Sequence, residues 1–220
     1  MAKSGWATHV GRMESPALVL LLDYPEGEWL PANLRAELGD EFSARIVRLL
    51  AELQLANAPQ NWPTEIHVAP GERTKDVRQW LGSREITVHA QVAAPWGERI
   101  AQVAAEATLR HFDMVLLLRS DCPYCGVNEI VEAAKALLDH DVVIGPSTGG
   151  DFYLLGVRRW PEGLFHEVNW ETNQVLFGIT RRCEELGLKY KLGDPLERVT
   201  DVASWERAVA RISGQQGKGA

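Results

Sequence analysis

The residues with the most chemical potential lie between Val115 and Leu138, in VLLLRSDCPYCGVNEIVEAAKALL. Cys122 and Cys125 are spaced as in a dithiol redox centre, between an apolar run and a helical pattern. Asp121 precedes them, a single carboxylate at the end of that run. A divalent ion such as Mg²⁺ takes hard oxygen ligands, often one or two carboxylates, and fills the rest with phosphate oxygens and water. The same turn therefore reads as a dithiol site or as a metal-binding turn. The bland readings are a helix N-cap for Asp121 and two small, part-buried residues for the cysteines.

The rest of the chain weakens the dithiol reading. A thioredoxin-like fold places its motif after an early strand, whereas more than half of this chain comes first. The downstream Thr/Val-Pro loop of such folds is not visible in VTDVASW. A Cys-rich metal site wants a second Cys/His pair. Cys183 lies alone in a helical pattern, and the six histidines form no ligand-spaced pair. A thiol-disulfide oxidoreductase thus stands third among the functional readings.

The elements that must position these residues alternate. ALVLLLD, EIHVA, EITVHAQ, MVLLLRS, DVVIG and FYLLGV read as buried strands, with LKYKLG as an edge strand. Continuous apolar runs, rather than alternation, predict strands covered on both faces. Between them, Phe42, Ile46, Leu49, Leu50 and Leu53 recur at helical spacing, as do Ile100, Val103, Ala104 and Ala107, and Ile130, Val131, Ala134, Leu137 and Leu138. TDVASWERAVARI closes the chain as a helix, expected to turn Trp205 and Val209 inward. The result is an α/β fold with a mostly parallel sheet. Ligands in such sheets sit beyond the carboxyl ends of the strands. That draws attention to DYPEG, RSDCPYCG and GPSTGGD. One domain over residues 15–213 is expected, with 1–14 and 214–220 as flexible termini.

A net charge of −7 argues against a nucleic-acid binder, which shows a basic face. Three cysteines make no disulfide framework and suit a reducing cytoplasm. The run ALVLLL is far too short to span a bilayer.

Several motifs, in order, resemble one family: the bacterial glycosyltransferase-like proteins associated with radical-SAM and selenium-domain proteins. These are related to phospholactate guanylyltransferases, within the nucleotide-diphospho-sugar transferase (GT-A) superfamily. Ser120, Asp121 and Pro123 match a Ser-Asp-x-Pro turn after a strand. Gln91, Gly97, Glu98 and Arg99 match a helix-opening motif. Asp141, Val142, Val143, Gly145 and Pro146, then Gly150, Tyr153, Leu154 and Gly156, match the glycine-loop region. Trp170 and Thr172 match two positions of Trp-Ser-Thr, and Asp201 and Val202 two of Asp-Val-Asp. The resemblance is dense from Gln91 onward. It implies a single three-layer α/β/α GT-A-like domain with a mixed, mostly parallel sheet. The implied activity is transfer of a glycosyl or nucleotidyl group from a nucleotide or nucleotide-sugar to an acceptor.

In that reading Asp121 holds Mg²⁺ or Mn²⁺, with Asp201 or Asp151 as its partner. Gly149 and Gly150 admit the substrate to the backbone. Arg99, Arg119, Ser120, Trp170 and Thr172 contact the substrate, Thr172 also capping a helix. The departures fall on the chemistry. Pro31 and Asn33 replace basic residues of the family's first loop, the glycine-loop carboxylate shifts to Asp151, and Ala203 replaces the second Asp of the last turn. Arg119 stands at a usually small position. Being two residues from Asp121 on a strand, it points the same way. Three roles stay open for it: a stand-in for the metal, a phosphate contact, or an ordinary ion pair. The alternative function is therefore a catalytically degenerate GT-A-like binding protein.

Overall fold

A computed structural model of the protein describes residues 16–82, 86–111 and 114–216. The elements are β1 (Ala17–Asp23), α1 (Ala32–Ala56), β2 (Thr64–Ala69), α2 (Thr74–Leu81), β3 (Thr87–Ala90), α3 (Trp96–His111) and β4 (Val115–Arg119). They continue with α4 (Val127–Ala136), β5 (Val142–Pro146), β6 (Phe152–Val157), α5 (Val175–Glu185), β7 (Tyr190–Leu192) and α6 (Val202–Gln216). The expected flexible segment 1–14 lies outside the described residues, as do 217–220. Residues 214–216 instead continue α6.

The sheet runs β3-β2-β1-β4-β6-β5-β7. Only β6 is antiparallel to its neighbours. The chain winds outward from β1 to β3, then returns to place β4 against the other side of β1. The β1/β4 boundary is thus the topological switch point, where open α/β sheets bind ligands.

Both faces of the central strands are covered, which explains their unbroken apolar runs. Leu18, Leu20 and Leu22 of β1 and Leu116 and Leu118 of β4 pack beneath Ala51, Leu55, Val77, Ile130 and Ala134 of α1, α2 and α4. Ala17, Val19 and Leu21, with Val115 and Leu117, face Ile100, Ala104 and Ala107 of α3 and Ile179 of α5. A smaller cluster joins Leu34, Ile46 and Leu50 of α1 to Val199 and Ala208. The edge assignment of β7 agrees with the sequence.

Three helical details differ from the sequence reading. α1 starts at Ala32, well before the periodic stretch, and kinks at Gly39, whose φ is 76°. Phe42 and Leu49 fall on its outer face, 57% and 55% exposed. On α6 Trp205 packs half-buried against the cluster of Leu34 and Ala208, as expected, and Ser204 is buried, while Val209 is exposed rather than inward. A helix surface needs only a narrow apolar stripe where it meets one neighbour. α2 has one buried residue, Val77, too little periodicity to be read from sequence.

The Cys122–Cys125 turn is a structural knot. The Cys125 N–H donates to the Cys122 carbonyl at 3.2 Å. From α1, the Gln54 side chain donates to the Cys122 carbonyl and Asn57 to that of Cys125. Gln54→Met keeps the volume and leaves the Cys122 carbonyl with the Cys125 N–H alone, so it should lose about 0.5–1.5 kcal/mol in urea unfolding, the worth of one hydrogen bond.

Candidate functional site

A cleft of about 390 Å³ opens at the carboxyl ends of β1 and β4. Its walls include Asp23, Trp96, Arg99, Arg119, Gly149, Asp151, Trp170 and Thr172. Six of these residues carry functional expectations from the sequence, and the fold brings them together. Asp23 ends β1, Arg119 ends β4, and Asp151 precedes antiparallel β6, so all three arrive at one edge of the sheet. Trp96 and Arg99 open α3 beside them.

Beneath the cleft lies a compact ion cluster. Arg198 donates from Nε to Asp121 Oδ1 at 2.9 Å and from Nη2 to Asp121 Oδ2 at 2.6 Å. Its Nη1 donates to Asp151 Oδ2. Arg119 reaches the same two carboxylates at 3.4 Å each. Desolvation pushes the Asp121 carboxyl upward, but the Arg198 and Arg119 charges outweigh it and hold the group well below the usual carboxylate range. A backbone bond from Val199 N to Asp121 O, 2.8 Å, brings Arg198 into register with the β4 turn. Ser147 donates its hydroxyl to Asp151 Oδ1 and accepts from the Gly149 N–H, which folds the glycine loop around the same carboxylate.

The upper wall is aromatic and cationic. Arg99 is 8% exposed and donates to Gln91 Oε1 at 2.9 Å and Asp23 Oδ1 at 3.2 Å. Its guanidinium lies 5.1 Å from the Trp29 ring centroid and 4.9 Å from that of Trp96. Arg119 lies 4.7 Å from Trp96. Such contacts hold a guanidinium plane while leaving an edge for hydrogen bonds. Desolvation raises the Asp23 carboxyl above its ordinary value, although Arg99 and Arg119 pull it down. Trp170 packs edge-on against Phe165 and Phe152. Gly97 lets it do so, since a Cβ there would meet Trp170 Nε1 at 2.1 Å.

Other expected residues lie apart from the cleft or act otherwise. Asp201 is the N-cap of α6: its Oδ1 accepts from Ser204 N at 2.8 Å while its own N–H donates to Ser204 Oγ. No described contact joins it to Asp121. Ser120 is half-buried and does not line the cleft. Gly150, at φ +86°, accepts from Leu176 N at 2.9 Å, and a Cβ would meet Asn173 O at 1.9 Å. It fixes the loop to α5. Thr172 does line the cleft, but α5 begins after Gln174; the Thr172 hydroxyl accepts from Gln174 N at 3.3 Å in the preceding turn. Sequence reasoning missed Arg198, Asp23 and Trp96. Burial pushes the Cys122 thiol up to about 12 and Cys125 higher still, which disfavours the thiolate a redox centre uses. Both remain free and buried in the core.

A depressed carboxyl stabilises the fold above its unfolded value, 3.8, and loses that contribution as pH falls toward the folded value. Asp121→Asn should therefore be less stable than wild type near neutrality, with a flatter stability profile below about pH 4, measured by urea unfolding across pH. Arg198→Met should cost about 2–4 kcal/mol near neutrality, because it leaves two carboxylates facing each other.

Among curated proteins, none matches this chain. Solved structures do. The "putative nucleotide-diphospho-sugar transferase" of Desulfovibrio desulfuricans G20 superposes with a TM-score of 0.80 at 23% identity, over 86% of this chain and 84% of its own. The 4-diphosphocytidyl-2C-methyl-D-erythritol synthase of Anaerococcus prevotii DSM 20548 gives 0.58 at 13%, over 91% and 97%. The CMP:2-keto-3-deoxy-manno-octonic acid synthetase, solved with CTP, gives 0.59 at 12%, over 91% and 100%. At these identities the likeness shows the fold, a three-layer GT-A-like α/β/α domain. Residues 52–172, more than half of the chain, match the bacterial family described as "Uncharacterized protein conserved in bacteria (DUF2064)", and the chain belongs to that family.

Proposed function

We propose that the domain binds a nucleotide-activated donor, a nucleotide-sugar or nucleoside triphosphate, in the cleft between β1 and β4, with arginines in place of a divalent ion. One observation carries this reading: Arg198 occupies both oxygens of Asp121 and reaches Asp151 as well. Mg²⁺ or Mn²⁺ needs those oxygens as ligands. With Arg198 in place the two carboxylates do not fit the ion, and Asp201 is engaged in its helix cap. Because Arg198 satisfies the carboxylates, Arg119 makes only long contacts to them and presents its guanidinium to the cleft. It is the group best placed to meet a phosphate, which guanidinium binds through paired hydrogen bonds. The α3 N-terminus adds a partial positive charge on the same wall. Trp96 and Trp170 give flat apolar surfaces beside it.

A second reading is favoured by the same geometry. Asp121 and Asp151 converge on a single cation, so a divalent ion would find two carboxylates if Arg198 swung away. The domain would then be a metal-dependent glycosyl- or nucleotidyltransferase; the transferase part of that reading follows the name of the similar Desulfovibrio desulfuricans structure. Kinship to the proteins that accompany radical-SAM and selenium-domain proteins, and to phospholactate guanylyltransferases, rests on motif order and belongs to this proposal too.

Thermal unfolding against nucleotides and nucleotide-sugars, with and without Mg²⁺ or Mn²⁺, separates the two. A ligand at a hundred times its Kd adds about 2.7 kcal/mol. The arginine reading expects a shift that needs no metal and disappears in Arg119→Ala. A shift that requires metal and vanishes in Asp121→Ala would replace it with the transferase reading. No shift with any nucleotide would overturn both.

A further inference from the structure

Away from the cleft, α3 covers a polar group that the proposed nucleotide site does not use. Glu65 and His67 lie two residues apart on β2 and share the sheet face of Val19 and Leu21, their register partners on β1. His89 on β3 is the register partner of His67. The two imidazoles stack with centroids 4.8 Å apart. Glu65 and His67 are 4% and 0% exposed. Two such residues buried on one face, with His89 half-buried beside them, contribute little to packing, and each buried group carries a desolvation penalty that a partner must offset.

We propose that Glu65, His67 and His89 form a binding site for one first-row transition-metal ion of the Zn²⁺ class, latched by the Arg110 guanidinium. One ligand atom from each residue lies within 4.8 Å of the others. His67 Nε2 is 3.2 Å from Glu65 Oε2, and His89 Nε2 is 3.6 Å from Glu65 Oε1. Ligands about 2.0–2.2 Å from a tetrahedral ion stand ~3.3–3.6 Å apart, so the two spacings to Glu65 already suit an ion, and the whole set, within 4.8 Å, needs only a small inward closure. Two imidazoles and a carboxylate are a ligand set for Zn²⁺ and its neighbours rather than for Mg²⁺ or Ca²⁺.

An independent observation points to an occupant. Among the described residues, His89 Nε2 is buried and makes no hydrogen bond, its facing carboxylate oxygen on Glu65 standing off at 3.6 Å. Buried polar atoms are nearly always paired, and an orphan marks an absent water or ion. For His89 the orphan is the very nitrogen aimed at Glu65 and His67.

Arg110 now takes the ion's place. It donates from Nε and Nη2 to Glu65 at 3.1 and 2.7 Å, and Nη2 lies 3.2 Å from His67 Nε2. One cation bridges the carboxylate and the imidazole as a metal would. Arg110 is tethered at the end of α3, a third exposed, with Glu106 one turn earlier at 3.7 Å. Its outer nitrogen already faces the Glu106 carboxylate, which offers the guanidinium a second partner outside the sheet.

The test is titration of the purified full chain with Co²⁺, read by visible d–d absorption, and with Zn²⁺ in competition. One equivalent per chain is expected, displaced by Zn²⁺. His89→Ala, at a half-exposed edge position, should abolish the signal while the protein stays folded by circular dichroism. Arg110→Gln should tighten binding roughly tenfold or more, since the ion no longer breaks a charge-assisted pair. Asp121→Asn should leave the signal intact, which separates this site from any ion in the cleft. Absence of absorption in both wild type and Arg110→Gln would overturn the proposal, as would a signal that survives His89→Ala.

Discussion

The architecture of the cleft depends on one guanidinium. Arg198 joins the turn after β4 to the loop before β6, through Asp121 and Asp151. Two carboxylates brought that close in a half-buried setting repel each other, and desolvation penalises both. Arg198 reverses the sign of that interaction. Its own position is secured by backbone bonding of Val199 to Asp121 and by the Cys122 thiol, which donates to the Glu197 carbonyl. The segment before α6 is therefore held to the sheet by charge at one point and by backbone at the next. The buried cysteine turn, with its thiols raised far from reactivity, is part of that anchor rather than a redox device.

From this cluster the polar structure continues outward. Asp23, Asp121 and Asp151 face Arg99, Arg119 and Arg198, so the charges of the cleft and its floor balance. Arg99 is fixed from three sides, by Asp23, by Gln91 and by the two tryptophan faces. Gln91 donates in turn to the His67 carbonyl at 2.7 Å. Gln91 thus ties the seat of Arg99 to the backbone of β2.

Much of this was legible in the sequence because it follows from local rules. The unbroken apolar runs predicted strands buried on both faces, and strand ends predicted where ligands meet the sheet. Arg99, Arg119, Gly149, Asp151, Trp170 and Thr172 all reach the cleft wall, with Asp121 behind Arg119. The alternatives left open for Arg119 narrow to long contacts with two acids and an exposed edge toward the cleft. Arg198 was not legible. It meets Asp121 across 77 residues, from a loop with no periodicity, and nothing in PLERVT distinguishes it from a surface arginine. Asp201 was misplaced for a complementary reason. An Asp before a helix and three residues before a Ser satisfies a cap locally, and the local bond is the one that forms. The histidine group was invisible because ligand spacing was sought along the chain, whereas His67 and His89 meet only through strand register.

Replacing a divalent ion by arginine changes what a cleft of this kind can do. A free ion brings two charges and exchangeable positions, so phosphate oxygens and water enter its coordination sphere directly. A guanidinium brings one charge, spread over a plane, fixed to the chain and never deprotonated. Arg198 is fully engaged by two carboxylates and has little left to offer an anion. Arg119 makes contacts of 3.4 Å to the same groups and stacks on Trp96, so a phosphate competes with weak bonds only. The two arginines therefore divide one task between them. The inner one neutralises the acids that would repel a phosphate, and on the proposed reading the outer one is the group that would receive it. Under that proposal the cleft would hold a phosphate-bearing ligand without supplying the Lewis acid that draws a leaving group away. Binding is consequently the property its geometry supports most directly, and transfer would require Arg198 to move first.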